Sequence, residues 1–222
     1  MKKILLPSAL VLAASLSACN TAPKPVVEPA PVLSISGSAP AVAGRSLTLI
    51  ASDGMALGTA VTVAADGKFM AALPVPEKAR LKSVTMALSG LPCTVATPLS
   101  SSDAGAAGLG VASARVDTTS LLAATVNRGL LSRHVEIHAW IYSDLATTLT
   151  GKLDCAQATG GAISTLPVTI NASLAAGWTP VVATIDANLG LGGLSGAGTV
   201  STAADYNGGW LTMTELANQV KP

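Results

Sequence analysis

Arg133-His134-Val135-Glu136-Ile137-His138-Ala139-Trp140-Ile141-Tyr142 is the stretch that decides the fold. Val135, Ile137, Ala139 and Ile141 alternate along it with His134, Glu136, His138, Trp140 and Tyr142. A period of two belongs to a strand, whose successive side chains point to opposite faces. Shorter runs of the same kind flank it. On the N-terminal side they fall at 32–36, 46–50, 59–65, 68–73 and 82–88. On the C-terminal side they fall at 111–116, 147–153, 166–174, 180–185, 198–202 and 210–214. Ser52-Asp53-Gly54 marks a turn, and Asp66-Gly67 is the dipeptide that suits a type I′ hairpin between 59–65 and 68–73. Helical spacing is almost absent, and one short helix is expected within 118–130. The fold class is therefore all-β, with one or two small β-sandwiches of immunoglobulin-like or transthyretin-like type.

The composition narrows the function classes. The chain has 222 residues, 13 Lys+Arg against 12 Asp+Glu, and a formal charge of +1. Nucleic-acid binding needs a basic face, and this near balance provides none. Half the residues are hydrophobic and mean hydropathy is +0.55, enough apolar surface to build a core. Aromatic residues number only three Trp, two Tyr and one Phe, too few for the two interfacial girdles of an outer-membrane barrel.

The N-terminus has a different character. Lys2 and Lys3 precede an apolar stretch over 4–14, and Leu16-Ser17-Ala18-Cys19 follows. Basic start, short apolar core and small residues are the order of a secretory leader, too short for a spanning helix. Ending on Cys19, the run resembles the lipobox of bacterial lipoproteins. The resemblance implies that residues 1–18 are a cleaved signal peptide and that the Cys19 thiol is diacylglyceryl-modified. Buried acyl chains contribute about 0.8 kcal/mol per methylene, so two or three of them anchor the chain durably. Without Lys2 and Lys3 the mature side chains count 13 − 2 = 11 basic and 12 acidic, a net charge of −1. Pro23, Pro25, Pro29 and Pro31 make 19–31 a lipidated, extended spacer. The expected division is then a first β-sandwich at 32–99, a Ser/Ala/Gly-rich loop at 100–110 and a second β-rich domain at 111–222.

With Cys19 taken by lipid, Cys93 and Cys155 remain as an even pair in an exported chain, and a disulfide between them is expected to tie the first β region to the second. Closing a loop of 155 − 93 = 62 residues contributes roughly 4 kcal/mol on the chain-entropy account.

Further motifs carry a family resemblance. Asp66-Gly67-Lys68-Phe69 with Leu73-Pro74 is similar to an edge in small exported β-sandwiches, including carboxypeptidase-regulatory-like modules. Trp140-Ile141-Tyr142-Ser143-Asp144, then Thr148-Leu149-Thr150-Gly151, Cys155 and Leu174-Ala175-Ala176-Gly177-Trp178, resembles uncharacterised deinococcal-type envelope lipoproteins, with Thr179 where that pattern tends to have Asn. The resemblance implies location and fold, and transfers no catalytic residue.

For chemistry, the strand at 133–142 offers His134, Glu136 and His138, residue types that ligate zinc or copper. Four strand residues hold the two imidazoles roughly 13 Å apart, however, which opposes a shared ion. Asp144 and Asp154 are the candidate carboxylate pair, more simply exposed turn residues. Trp140, Tyr142 and Trp210 are a candidate stacking platform for sugars or peptides, with Trp210 as the exposed member and Trp178 packed inside. HExxH, Walker and GxSxG patterns are absent. The sequence therefore points to a non-enzymatic envelope lipoprotein without cofactor, a structural or interaction module on the exported side of a membrane. Its expected partners are the membrane, through the N-terminal lipid, and an envelope protein or glycan. The alternative is a periplasmic metal-binding protein or hydrolase using the His134/Glu136/His138 strand.

Overall fold

The computed structural model describes residues 34–88, 93–159, 163–190 and 193–220; the expected leader, Cys19 and the proline-rich spacer lie outside the described residues. The chain is all-β. Its strands are β1 (Ser34–Ser38), β2 (Ser46–Ala51), β3 (Ala56–Thr62), β4 (Lys68–Ala72), β5 (Lys82–Ser83), β6 (Thr94–Ser101) and β7 (Ala107–Val116). They continue with β8 (Thr119–Arg128), β9 (Ser132–Ser143), β10 (Thr147–Asp154), β11 (Pro167–Leu174), β12 (Gly177–Gly190), β13 (Gly193–Thr202) and β14 (Trp210–Thr212). Among the described residues one α-helix, α1 (Met213–Val220), follows β14.

Twelve strands form one sheet in the order β3-β2-β7-β8-β9-β12-β13-β11-β10-β6, with β14 on β8 and β5 on β7. β1 and β4 form a separate antiparallel pair. The sheet changes direction where β7, β8 and β9 meet, because each of the three pairs with both others. Ser113–Val116 of β7 lie against β8, Gly108–Val111 of β7 lie against β9, and the first half of β9 lies against β8.

Two cores result. The first gathers Ile35, Leu47, Leu49, Phe69, Leu121, Trp140, Trp178 and Trp210 between the β1–β4 pair and the β3-β2-β7-β8 side of the sheet. The second gathers Ile141, Leu149, Leu153, Val168, Ile170 and Val181 within the β9-β12-β13-β11-β10 side. The alternation of β9 is what serves both, since Trp140 enters the first core and its neighbour Ile141 the second. The cores do not divide at 100–110. Strands from before 100–110 pair with strands after it, β6 with β10 and β2 with β7, and 107–116 is itself a strand.

Three local expectations change. The 118–130 segment is strand β8, not helix. Leu121 and Ala123 face the first core, while Leu122, Ala124 and Val126 face a third small cluster with Leu216 of α1. Two apolar faces erase the alternation that marks a half-buried strand. At Asp66-Gly67 the turn forms, with the Gly67 N–H donating to the Ala64 carbonyl at 2.9 Å. Only Gly67 has positive φ there, so this is a type I turn closed by a left-handed glycine rather than type I′. The Ala64 N–H donates to the Lys68 carbonyl at 2.8 Å across the turn, but no β3–β4 ladder follows, since β3 pairs with β2 and β4 with β1. A Cβ on Gly67 would also stand 2.9 Å from Pro40 Cα. Finally, 82–88 is strand only at Lys82–Ser83, and Val84–Leu88 is a 3-10 turn.

Candidate functional site

The even-numbered face of β9 is the site singled out by sequence, and the structure grades it from surface to core. At its outer end His134 lies between two carboxylates. Its Nδ1 is 2.7 Å from Asp186, its cross-strand partner on β12, and its Nε2 is 3.4 Å from Glu136. Both contacts favour the imidazolium, so the His134 pKa is raised, Asp186 being the larger cause and Glu136 the next. Glu136 also accepts from the Thr125 hydroxyl at 3.1 Å.

Two residues further in, His138 is half-buried, its side chain 13% exposed. Its Nε2 is 3.8 Å from Glu136, within ion-pair reach and beyond hydrogen-bonding distance, and neither ring nitrogen has a hydrogen-bond partner. Burial lowers the His138 pKa, against the pull of the Glu136 charge. The connection from β13 to β14 covers this part of the row. Tyr206 stacks on the His138 ring, centroids 3.9 Å apart and planes 16° from parallel. The Tyr206 hydroxyl donates to the Gly209 carbonyl at 2.9 Å, and its pKa is raised by burial. The Trp140 indole N–H points to Asp205 at 3.4 Å.

Glu136 thus stands between the two histidines, but its neighbours are already taken up. Among the described residues no group of three or more His, Cys, Asp or Glu side chains is arranged to hold a metal ion. Both nitrogens of His134 face carboxylates, and Tyr206 closes one face of His138. What the arrangement can do chemically is favour the charged imidazole at His134 and the neutral one at His138, across one shared carboxylate.

The aromatic platform is not formed. Trp140 and Trp210 are 0% and 1% exposed, stacked 5.9 Å apart with planes 6° from parallel. Phe69 meets Trp210 edge-on at 5.4 Å, and Tyr142 meets Trp178 edge-on at 5.5 Å. Trp210, expected at the surface beside Asn207-Gly208-Gly209, is drawn inward because β14 pairs with β8. Gly37 makes room for it: a Cβ there would lie 2.4 Å from Trp210 Cδ1. Only Tyr142 of the three keeps partial exposure. Trp178 is buried, as its position after Gly177 suggested.

Cys93 and Cys155 are bonded, with Cα atoms 4.1 Å apart. Because Thr94 pairs with Asp154, the disulfide extends the β6–β10 ladder by one step. It closes the edge of the second core's sheet and does not join the two cores. Asp154 beside it accepts the Leu166 and Ala156 N–H groups, both at 3.0 Å, which lowers its pKa. Asp144 accepts the Ala107 N–H at 2.7 Å. Asp154 ends β10 and Asp144 lies before its other end, so strand rise sets them about 23 Å or more apart, too far for paired acid–base work.

Two features went unread in the sequence. The opposite face of β9 lines an apolar cavity of about 250 Å³ with Ile50, Ala87, Leu88, Ile137, Ile141 and Val181 on its walls. Helix α1 begins with a reciprocal cap, Thr212 N–H to Glu215 at 2.8 Å and Glu215 N–H to the Thr212 hydroxyl at 3.1 Å. Its signal, Thr212-Met213-Thr214-Glu215, is the four-residue capping pattern.

The chain matches no protein-family model, no curated protein and no solved structure.

Proposed function

We propose that this protein is an exported envelope lipoprotein, anchored to a membrane through Cys19, whose β body is a non-enzymatic structural or interaction module. The single observation that carries the proposal is the Cys93–Cys155 disulfide, since such bonds persist in oxidising, exported compartments. It agrees with a leader that ends on cysteine and with the resemblance to deinococcal-type envelope lipoproteins. The β9 row supports a structural role over a catalytic one, because Asp186, Glu136, Thr125 and Tyr206 occupy its histidines and carboxylate. An envelope protein or glycan is the proposed partner class, met by some surface other than the buried tryptophans.

The test is metabolic labelling with palmitate in an exporting bacterial host, combined with the mass of the mature N-terminal peptide. The expected outcome is acylated Cys19 at the mature start, with the label lost in Cys19→Ser. An unmodified thiol, or protein shed freely from cells, refutes the anchored reading. Elemental analysis of the purified protein and of His134→Ala tests the metal alternative, and stoichiometric zinc or copper lost in the variant would establish that alternative instead.

A further inference from the structure

Leu130 and Leu131 form the tip of the β8–β9 hairpin and are 96% and 58% exposed. The connection is tight: Arg128 pairs with Arg133, and the Gly129 N–H donates to the Ser132 carbonyl at 3.0 Å. Tight hairpin loops favour Asn-Gly or Asp-Gly, which relieve the backbone. Two leucines, neither with positive φ, gain nothing from that preference, and they leave two large apolar side chains in water. A local rule broken without a folding benefit is a mark of function.

The surroundings are cationic and firmly built. Arg133 donates to the Gly129 and Ser132 carbonyls at 2.9 and 2.8 Å, holding the turn. Arg128 donates to the Gln219 carbonyl at 2.7 Å, which brings the end of α1 and its exposed Val220 alongside. Residues 128–135 contain no carboxylate. Asn188 pairs with Ser132, so the last pairs of the β12–β13 hairpin, Leu189 with Leu194 and Gly190 with Gly193, fall at this same end of the sheet. That end therefore has the two exposed leucines of the β8–β9 hairpin with arginines just behind them.

We infer that the Leu130–Leu131 tip dips into the headgroup–acyl boundary of an anionic bilayer, with Arg128 and Arg133 meeting lipid phosphates. Apolar residues at the boundary with basic residues behind them are the signature of interfacial binding. The inference deepens the anchored reading and takes its geometry from it. Ser34 pairs with Ala72, and the Pro74 carbonyl just beyond accepts the Trp178 indole N–H at 3.0 Å, so the chain enters the described body near the far end of β9. From Tyr142 back to Ser132 the strand covers about 34 Å at strand rise. The spacer from Cys19 to Ser34 has 34 − 19 = 15 steps, about 46 Å when extended as its prolines favour. Its reach exceeds the length of the body, so a chain tethered at Cys19 can lie along the membrane with the distal tip touching it.

The three native tryptophans are all buried, which leaves the tip free for a reporter. The full mature chain carrying Leu131→Trp is incorporated into phosphatidylglycerol-rich vesicles, with and without bromine on the acyl chains near the headgroups. The expected result is blue-shifted emission that bromine quenches, lost when Leu130→Asp is added, and weaker on purely zwitterionic vesicles. Emission from the new indole that stays water-like and unquenched overturns the inference.

A second measurement separates this from the fate of Cys19. Full-length chain with Cys19→Ser is floated with the same vesicles, and Leu130→Asp with Leu131→Asp should reduce its partitioning about tenfold or more. Partitioning unchanged by those two substitutions overturns the tip whether or not Cys19 is acylated. Tip-dependent partitioning of the unacylated chain supports it even if the anchor fails.

Discussion

The first core holds every aromatic ring of the chain, with Phe69, Trp140, Trp178 and Trp210 inside and Tyr142 and Tyr206 packed against it. The second is built, among the described residues, from Leu, Ile, Val and Ala together with buried Cys155, whose disulfide to Cys93 lies at its edge. Each large ring buries some 150–250 Å², so a few of them consolidate the first core without a covalent tie. The second spreads its burial over smaller side chains on neighbouring strands. There a cross-link that restricts the unfolded chain supplies what ring area does not. The two halves reach stability by different routes, and β9 and β12 belong to both.

The strongest way to break the contrast is Trp210→Ala. It removes the ring that Trp140 stacks on and Phe69 meets edge-on, and should cost about 3–5 kcal/mol in urea unfolding. A loss under about 1 kcal/mol would show that the aromatic cluster is not what consolidates the first core. Next in size is Cys93→Ser with Cys155→Ser, expected to cost about 2–4 kcal/mol. All three tryptophans report on the first core, whereas circular dichroism reports on both. Because β9 and β12 are shared, the two signals should still fall together in this variant. Circular dichroism falling first would mean that the second core melts alone.

The smallest effect sharpens the comparison along β9 itself. His134 has a raised folded pKa, so its stabilisation is fully present below its ordinary value of 6.5 and is lost as pH rises through the folded value. His138 has a lowered folded pKa, so its contribution is full above 6.5 and is lost as pH falls through the folded value. His134→Ala should therefore cost most in acid, and His138→Ala most at neutral and higher pH. Denaturation midpoints measured from pH 5 to 8 check the opposite slopes, and parallel slopes would exclude Glu136 and Asp186 from one side and burial from the other as the causes.

Much of this was legible where one face of a strand is apolar and the other is not. The alternation at 133–142 located β9 and assigned its faces, and Cys93–Cys155 is the pair expected once Cys19 is set aside from the three cysteines. Legibility failed where a strand is apolar on both sides, as in β8, or largely exposed on both, as in β6, for which no strand was expected. It failed again at Trp210, whose glycine-rich neighbours resemble a surface loop. Its burial depends on β8 lying beside it and on Gly37 arriving from the other end of the chain.

Strand content and the two faces of β9 follow from the sequence by itself, because side-chain alternation is a property of the extended backbone, whereas the pairing of Cys93 with Cys155 was expected from the sequence only by setting Cys19 aside as the lipidated one of three cysteines. Tertiary structure alone decided which strands pair, that the disulfide closes one sheet edge, and that the tryptophans make a core. Those outcomes depend on residues far apart in the chain competing for the same neighbours, and a local period carries no record of which of them prevails.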